Sequence, residues 1–400
     1  MSFAANNRAD PRALNQAAMR ALASGDAAGA KAMLKEAVAL DPAALPLHLN
    51  LAGACRADGD LEGAAIALKA VLKIDPRNFL GLLMSAAVLE RQGRTREAGA
   101  AYGIALTQAF PEDQLDPPTR SALARGRVLN AQYLSEMVQH LGEVTADIRT
   151  IGKAAESRRI NIFVERLTGR RAIYQQEPTH FAYPGLPAIE FYDRELFPWL
   201  PDLEAATTDI RGELLGVLTE EGPAKEFEPY IEYPDGVPLD QWAELNHSQR
   251  WSAFHLYKAG TKDEANCAKC PKTIATLAAL PQPQSPGRSP ASMFSLLQPR
   301  TRIPAHTGVS NTRVVVHLPL VIPPGCGFRV GSETREWRLG TAWVFDDTID
   351  HEAWNDSDQP RAILIFDVWS PFLSEAERKV IVEVMDAMDA FHGAPAESGL

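Results

Sequence analysis

The stretch ALASGDAAGAKAMLKEAVALDP (21–42) returns as CRADGDLEGAAIALKAVLKIDP (55–76), and more loosely as ERQGRTREAGAAYGIAL (90–106). Gly25, Gly59 and Gly93 stand 34 residues apart, as do Pro42 and Pro76. A fixed period constrains a fold more than any single element does, because each unit buries its apolar face only by stacking on its neighbour. Small residues let two paired helices approach closely. Glycine lies between the two helices, and proline stops the second.

The pattern resembles the tetratricopeptide repeat. That resemblance implies an α-helical solenoid over residues 11–110, with a concave groove of the kind that takes a protein or peptide partner. Residues 111–160 are expected to form a helical linker, since 116–157 read as a long helix or helix pair opened by two prolines. From 161 to 390 the texture changes to aromatics, prolines and short β-runs, a second domain. A formal charge of −11 argues against nucleic acid and anionic membranes as partners, both of which need basic surface. No run approaches the roughly 18 apolar residues of a membrane span. The start, MSFAANNRADPRALNQ, lacks the apolar segment of a secretion signal, so a cytoplasmic location is expected. Four cysteines are too few for a disulfide scaffold, and CAKC (267–270) lacks the second pair that a zinc site needs. Reduced loop thiols are expected there.

Short strands are expected near 292–297, 313–322, 327–330, 335–338, 341–345 and 361–368, with another in SAFHLYKAG (252–260). Such a series indicates an antiparallel sandwich or barrel. Flanking helices are expected from about Pro201 to 218 and over 374–391, the latter with Ser374 as N-cap and Glu377 completing a capping box. In the strand after HTG (306–308), alternation puts Arg313, Val315 and His317 on one face. Val314, Val316, Leu318 and Leu320 take the other. The second face suits a core; the first suits a cavity that takes polar guests.

Chemistry concentrates in this block. His306 and His351 are 45 residues apart, and Arg361 opens the next strand ten residues later. This is the ligand pattern of iron(II), 2-oxoglutarate-dependent oxygenases, in which imidazole suits Fe(II) and a carboxylate usually completes a facial triad. The commonest carboxylate position, two residues after the first histidine, is Gly308 here. HTGxxNxRxxxHLxLxIP followed by FDDxxxHExWNxxxxxR resembles the aspartyl/asparaginyl β-hydroxylase family, whose members carry glycine at that place.

The resemblance covers roughly 185–380 and implies a double-stranded β-helix (jelly-roll, cupin-like) catalytic domain with flanking helices. The whole chain is then multidomain α plus β. It implies catalytic iron on His306 and His351, with Arg361 and Ser295 on the distal carboxylate of 2-oxoglutarate. It implies His317 at the carboxylate beside the keto group, and Arg313 facing a substrate carboxylate. O₂ is the remaining co-reactant. Two positions depart from the animal members: Val315 replaces an arginine near the cosubstrate, and Met293 a basic residue near the substrate. The implied reaction is Cβ hydroxylation of an Asp or Asn side chain in a protein or peptide. Two alternatives stand: hydroxylation of a small molecule or lipid acyl chain, and a non-catalytic repeat scaffold. Asp346 and Asp347 read as turn residues, and Trp343, Trp354 and Trp369 as packing.

Overall fold

A computed structural model describes residues 10–147, 153–219 and 227–392. These fall into two compact units that divide between Thr168 and Gly169.

The first unit is helical. Its repeats are α1 (Pro11–Ala23) with α2 (Ala27–Leu40), α3 (Leu45–Ala57) with α4 (Leu61–Ile74), and α5 (Phe79–Arg91) with α6 (Thr95–Leu106). Each helix packs on the next, so the 34-residue period becomes a stack of antiparallel pairs. The turn glycines have φ of 87°, 77° and 75° at Gly25, Gly59 and Gly93, a region that costs any side chain strain. The residue after the first two, Asp26 and Asp60, caps the second helix by accepting from the Gly29 and Gly63 amides at 2.8 and 2.7 Å. Ala30, Leu34, Ala52, Ala64 and Leu68 form the dry seam between the first two pairs. The expected linker is α7 (Pro117–Val144), whose first turns complete the third pair, and then α8 (Ala154–Leu167). Gly126 leaves the space that the Tyr102 ring fills. Residues 148–152 of the expected linker lie outside the described residues.

The second unit is sheet-rich. Its strands are β1 (Glu228–Pro229), β2 (Trp251–Lys258), β3 (Thr261–Lys262), β4 (Ser292–Leu297), β5 (Thr301–His306), β6 (Arg313–Val321), β7 (Cys326–Val330), β8 (Glu333–Arg335), β9 (Trp343–Phe345), β10 (His351–Asn355) and β11 (Arg361–Trp369). One sheet runs β1-β2-β4-β11-β6-β9 with β3 on β2; the other runs β5-β10-β7-β8. From β4 to β11 the chain alternates between the two sheets, except that β7 and β8 are consecutive in the small one. The outer face of the large sheet carries Val314, Val316, Leu318 and Leu320. They pack against helices α9 (Leu200–Ala205), α10 (Thr207–Thr219) and α12 (Pro271–Ala278) through Leu203, Ile210, Leu214 and Leu277. The inner face meets the small sheet through Val315, Leu297 and Ile363 against Ile303, Phe328 and Ala353. The alternation expected for β6 is therefore observed.

Four strands are absent from the sequence reading: the two-residue β1 and β3, and, closer to the chemistry, β5 and β10; the strand expected at 335–338 lies at Glu333–Arg335. TRIPAH holds a proline, two residues with charged or aromatic heads and no run of β-formers, while HEAWN spans only five residues. Their pairing partners, rather than local propensity, make them strands. Cys267 and Cys270, expected as loop thiols, form no disulfide and are buried where α11 (Glu264–Lys269) meets α12. The capping box of the last helix, α13 (Glu375–His392), is present, with the Glu377 amide donating to Ser374 Oγ at 3.3 Å and the Ser374 amide donating back at 2.7 Å.

Leu68, 1% exposed, sits in the repeat seam. Leu68→Ala is expected to destabilise the helical unit by about 2–5 kcal/mol. Urea unfolding followed by far-ultraviolet circular dichroism reads this as a lowered midpoint.

Candidate functional site

Strands β5 and β10 are antiparallel neighbours, and their register makes His306 and His351 direct Cα partners. The two rings lie 4.1 Å apart, centre to centre. A bulge between His351 and Ala353 shifts the pairing there, a device that re-aims a side chain. Each Nδ1 meets a carbonyl two residues back, Pro304 for His306 at 2.8 Å and Ile349 for His351 at 3.0 Å. Donation to those carbonyls places the proton on Nδ1 and leaves Nε2 as a lone-pair donor. Burial lowers His306 to about 3, helped by the neighbouring His351, and lowers His351 to about 4. Both imidazoles are neutral at physiological pH, the form that binds a metal.

Gly308 follows at the end of β5. An added Cβ there would collide with the Asp347 carboxylate, so glycine is needed for close approach, not for its backbone freedom. The Gly308 amide donates to the Asp347 carbonyl at 2.7 Å. Asp347 is buried, and Arg313 Nη1 lies 3.3 Å from its carboxylate. Arg313 Nε is also 3.9 Å from Asp367. Asp346 instead turns to structure, accepting from the Thr348 hydroxyl at 2.6 Å and from Gln176 at 2.5 Å. Asn311 of the HTGxxN run donates to Gln176 and to the Tyr183 carbonyl, both at 3.0 Å, which ties the preceding segment across the loop.

The other end of the cleft is cationic. Arg361 is 1% exposed, at the start of β11, and no carboxylate pairs with it among the described residues. Burial pulls its guanidinium down to about 10. Its Nη1 reaches Ser295 Oγ at 3.4 Å, and its carbon lies 4.9 Å over the Trp337 ring. An uncompensated buried cation is costly, so this site fits an anion carried in by a ligand. His317 lies between Phe328 and Phe345, with ring centres 4.9 and 4.8 Å away; burial holds it neutral and its Nδ1 has no partner.

These ends belong to one cleft. Ser295, His306, His317, His351 and Arg361 all line it, with Gly308 and Asp347. The rest of its wall is apolar, including Met293, Val315, Ile363 and Ile365. Arg313 lies behind Asp347 and lines a neighbouring cavity with Ser289, Val309 and Ser310. Sequence reasoning missed Asp347, Tyr230 and Trp251. Asp347 was legible only as the second residue of a turn; the signal was the missing side chain at 308, whose space something must fill.

The sequence model of the aspartyl/asparaginyl beta-hydroxylase family matches residues 204–371, and that of the tetratricopeptide repeat matches 21–83. An ornithine lipid ester-linked acyl 2-hydroxylase of Rhizobium tropici is 32% identical over 203 residues, 50% of this chain and 67% of that protein. The chain belongs to the aspartyl/asparaginyl β-hydroxylase family. Human aspartyl/asparaginyl beta-hydroxylase is 33% identical over 186 residues, 46% of this chain but 24% of that protein. The mouse protein of the same name is 38% identical over 145 residues, 36% of this chain and 19% of its own length. This chain therefore spans only a minor part of the length of those two proteins. No helix among the described residues is long and apolar enough to cross a membrane.

Gly308→Ala is expected to lower stability by about 1–3 kcal/mol, as overpacking in a buried site does. Because the new methyl competes with Asp347, the loss should be smaller in an Asp347→Ala background. A double-mutant cycle on urea midpoints reads the coupling; strictly additive losses would show that the two positions do not compete.

Proposed function

We propose that this protein is an iron(II)- and 2-oxoglutarate-dependent hydroxylase. The observation that carries the reading is a buried, unpaired Arg361 facing two neutral, register-paired histidines across one cleft. Two imidazoles suit Fe(II), and His306 and His351 would hold it, leaving positions open for exogenous ligands. With O₂, the bound iron and 2-oxoglutarate supply an oxidising equivalent that installs hydroxyl on an unactivated carbon, releasing succinate and CO₂.

The chain's own residues have separable tasks in this reading. Arg361 offers a planar charged fork to the distal carboxylate, and Ser295 adds a hydroxyl beside it. His317, neutral and with a free ring nitrogen, stands near the opposite carboxylate. Asp347 occupies the space of the missing side chain at 308 and, held by Arg313, keeps a fixed carboxylate beside the histidines. Phe328, Phe345, Ile363 and Ile365 keep the cleft dry, which strengthens each charge inside it.

The leading substrate is an Asp or Asn side chain of a protein or peptide, oxidised at Cβ, and the family supports it. The helical repeats support recruitment of a protein or peptide partner. A second reading, a neutral acyl chain or small molecule, is favoured by one observation. Arg313 is already paired with Asp347 and Asp367, and Met293 and Val315 add no charge to the wall. The name of the Rhizobium relative agrees with that reading.

His306→Ala and His351→Ala are each expected to abolish succinate release while the melting transition survives; succinate at the wild-type rate from either would refute the metal assignment. Arg361→Ala should weaken 2-oxoglutarate binding by about 2–5 kcal/mol, because it strands a carboxylate in a dry site. Calorimetry against protein loaded with redox-inert Mn(II) measures this, and an unchanged Kd would remove Arg361 from the role. Mass spectrometry of reactions with aspartyl peptides and with fatty-acyl amides separates the substrate readings: a gain of one oxygen identifies the class accepted.

A further inference from the structure

Residues 174–183, YQQEPTHFAY, run ahead of the family match, which begins at residue 204. The segment is irregular, with a parallel bridge between Phe181 and Ser310. Tyr174 packs against the inner core, and the backbone beyond it visits both loops that carry the paired histidines. Beside β10, the Glu177 amide donates to the Thr348 carbonyl at 2.7 Å, three residues before His351. Beside β5, the Thr179 amide donates to the Gly308 carbonyl at 2.9 Å, and the His180 amide to that of Val309 at 3.2 Å. Pro178, which has no amide proton to leave unpaired, stands between the two sets. The side chain of Gln176 spans the same two loops. Its Nε2 donates to Asp346 Oδ2 at 2.5 Å, and its Oε1 accepts from Asn311 Nδ2 at 3.0 Å. Both partners are buried. The amide and hydroxyl of Thr348 take Asp346 Oδ1 at 3.0 and 2.6 Å, which leaves Oδ2 to Gln176. A carboxamide donates at one atom and accepts at the other, so one side chain closes the bridge.

We propose that Gln176 is a positioning residue for the metal-holding histidines: with the amides of its strap, it fixes the loop after His306 against the loop before His351. The proposal rests on the metal reading above. Strand β5 ends at His306 and β10 begins at His351, so the pair stands at the open end of their ladder, with a bulge on its inner side. The end of a ladder frays most easily, and here it must hold two side chains to one metal. The strap closes that end. Its effect reaches the ring of His351 in two steps, because Thr348 adjoins Ile349, whose carbonyl takes the Nδ1 proton of His351 at 3.0 Å. On the other side the Gly308 carbonyl lies two residues from the ring of His306. The Gly308 amide joins the loops directly through Asp347, and Gln176 supplies the second tie between them.

The test is Co(II) binding by the metal-free full chain, read from the visible d–d bands, which report both affinity and coordination geometry. Gln176→Met keeps the bulk and removes the bridge. It should weaken Co(II) binding about tenfold, as losing a group behind a metal ligand does, and alter the shape of the bands. Leu277→Ala, in α12 on the outer face of the large sheet, lowers the stability of the same unit without touching either loop. It should leave the Kd and the bands unchanged. Wild-type affinity and bands in Gln176→Met overturn the proposal. So does an equal loss in Leu277→Ala, since metal binding would then follow stability alone. If Gln176→Met does not fold, two changes at Thr179 carry the test. Thr179→Pro deletes the amide that reaches Gly308 and should weaken Co(II) as much, whereas Thr179→Ala keeps that amide and should not; equal affinities in the two overturn the proposal. Co(II) that binds the unaltered protein no more tightly than it binds His306→Ala would instead defeat the metal reading, and the proposal with it.

Discussion

Antiparallel register between β5 and β10 is the constraint on which the site depends. His306 and His351 are pair partners, so one ladder sets both side chains at once. A slip of a single residue would send one imidazole to the outer face of the small sheet and leave the cleft with one. Flanking contacts pin the register. Asn355, at the end of β10, donates to the carbonyls of Leu297, Gln298 and Gln359 at 3.0, 3.2 and 2.8 Å, tying that strand to the corner between β4 and β5. The geometry at the histidines therefore depends in part on a buried amide four residues beyond His351.

Charge is distributed along the cleft in an order that makes chemical sense. At one end a guanidinium lacks a protein anion among the described residues; at the other, Asp347 lines the cleft and a second guanidinium, behind it and outside the cleft, is shared between that carboxylate and Asp367. The first arrangement costs free energy until a ligand carboxylate arrives, and the second is complete without one. This asymmetry supports the proposal that the cosubstrate binds at Arg361, while Arg313 holds Asp347 in place. The glycine at 308 and the carboxylate at 347 are one feature: side-chain bulk has been removed from one strand end and supplied by the facing loop.

Much of this was legible in the sequence. The 34-residue period predicted the helical pairs because stacking repeats leave a fixed spacing of turn glycines. Alternation in β6 separated the core-facing valines and leucines from His317 and Val315 because a strand has period two. Other parts were not legible. β5 and β10 have weak local propensity, with Pro304 in one and Glu352 in the other, and exist because they pair with each other and β10 pairs with β7. Arg313 shares a strand face with His317, yet its long side chain turns toward Asp347 and Asp367, residues remote in sequence. Trp251 carried no motif; it lines the cleft and donates to Ser295 on the neighbouring strand β4.

Anaerobic titration of the metal-free protein with Fe(II) and then 2-oxoglutarate tests the central claim most directly. Chelation of the keto acid to iron held by two imidazoles predicts a visible metal-to-ligand absorption band that saturates with 2-oxoglutarate. Replacing either histidine should remove that band. No band in the intact protein, or an equal band in the His351→Ala variant, would contradict the account.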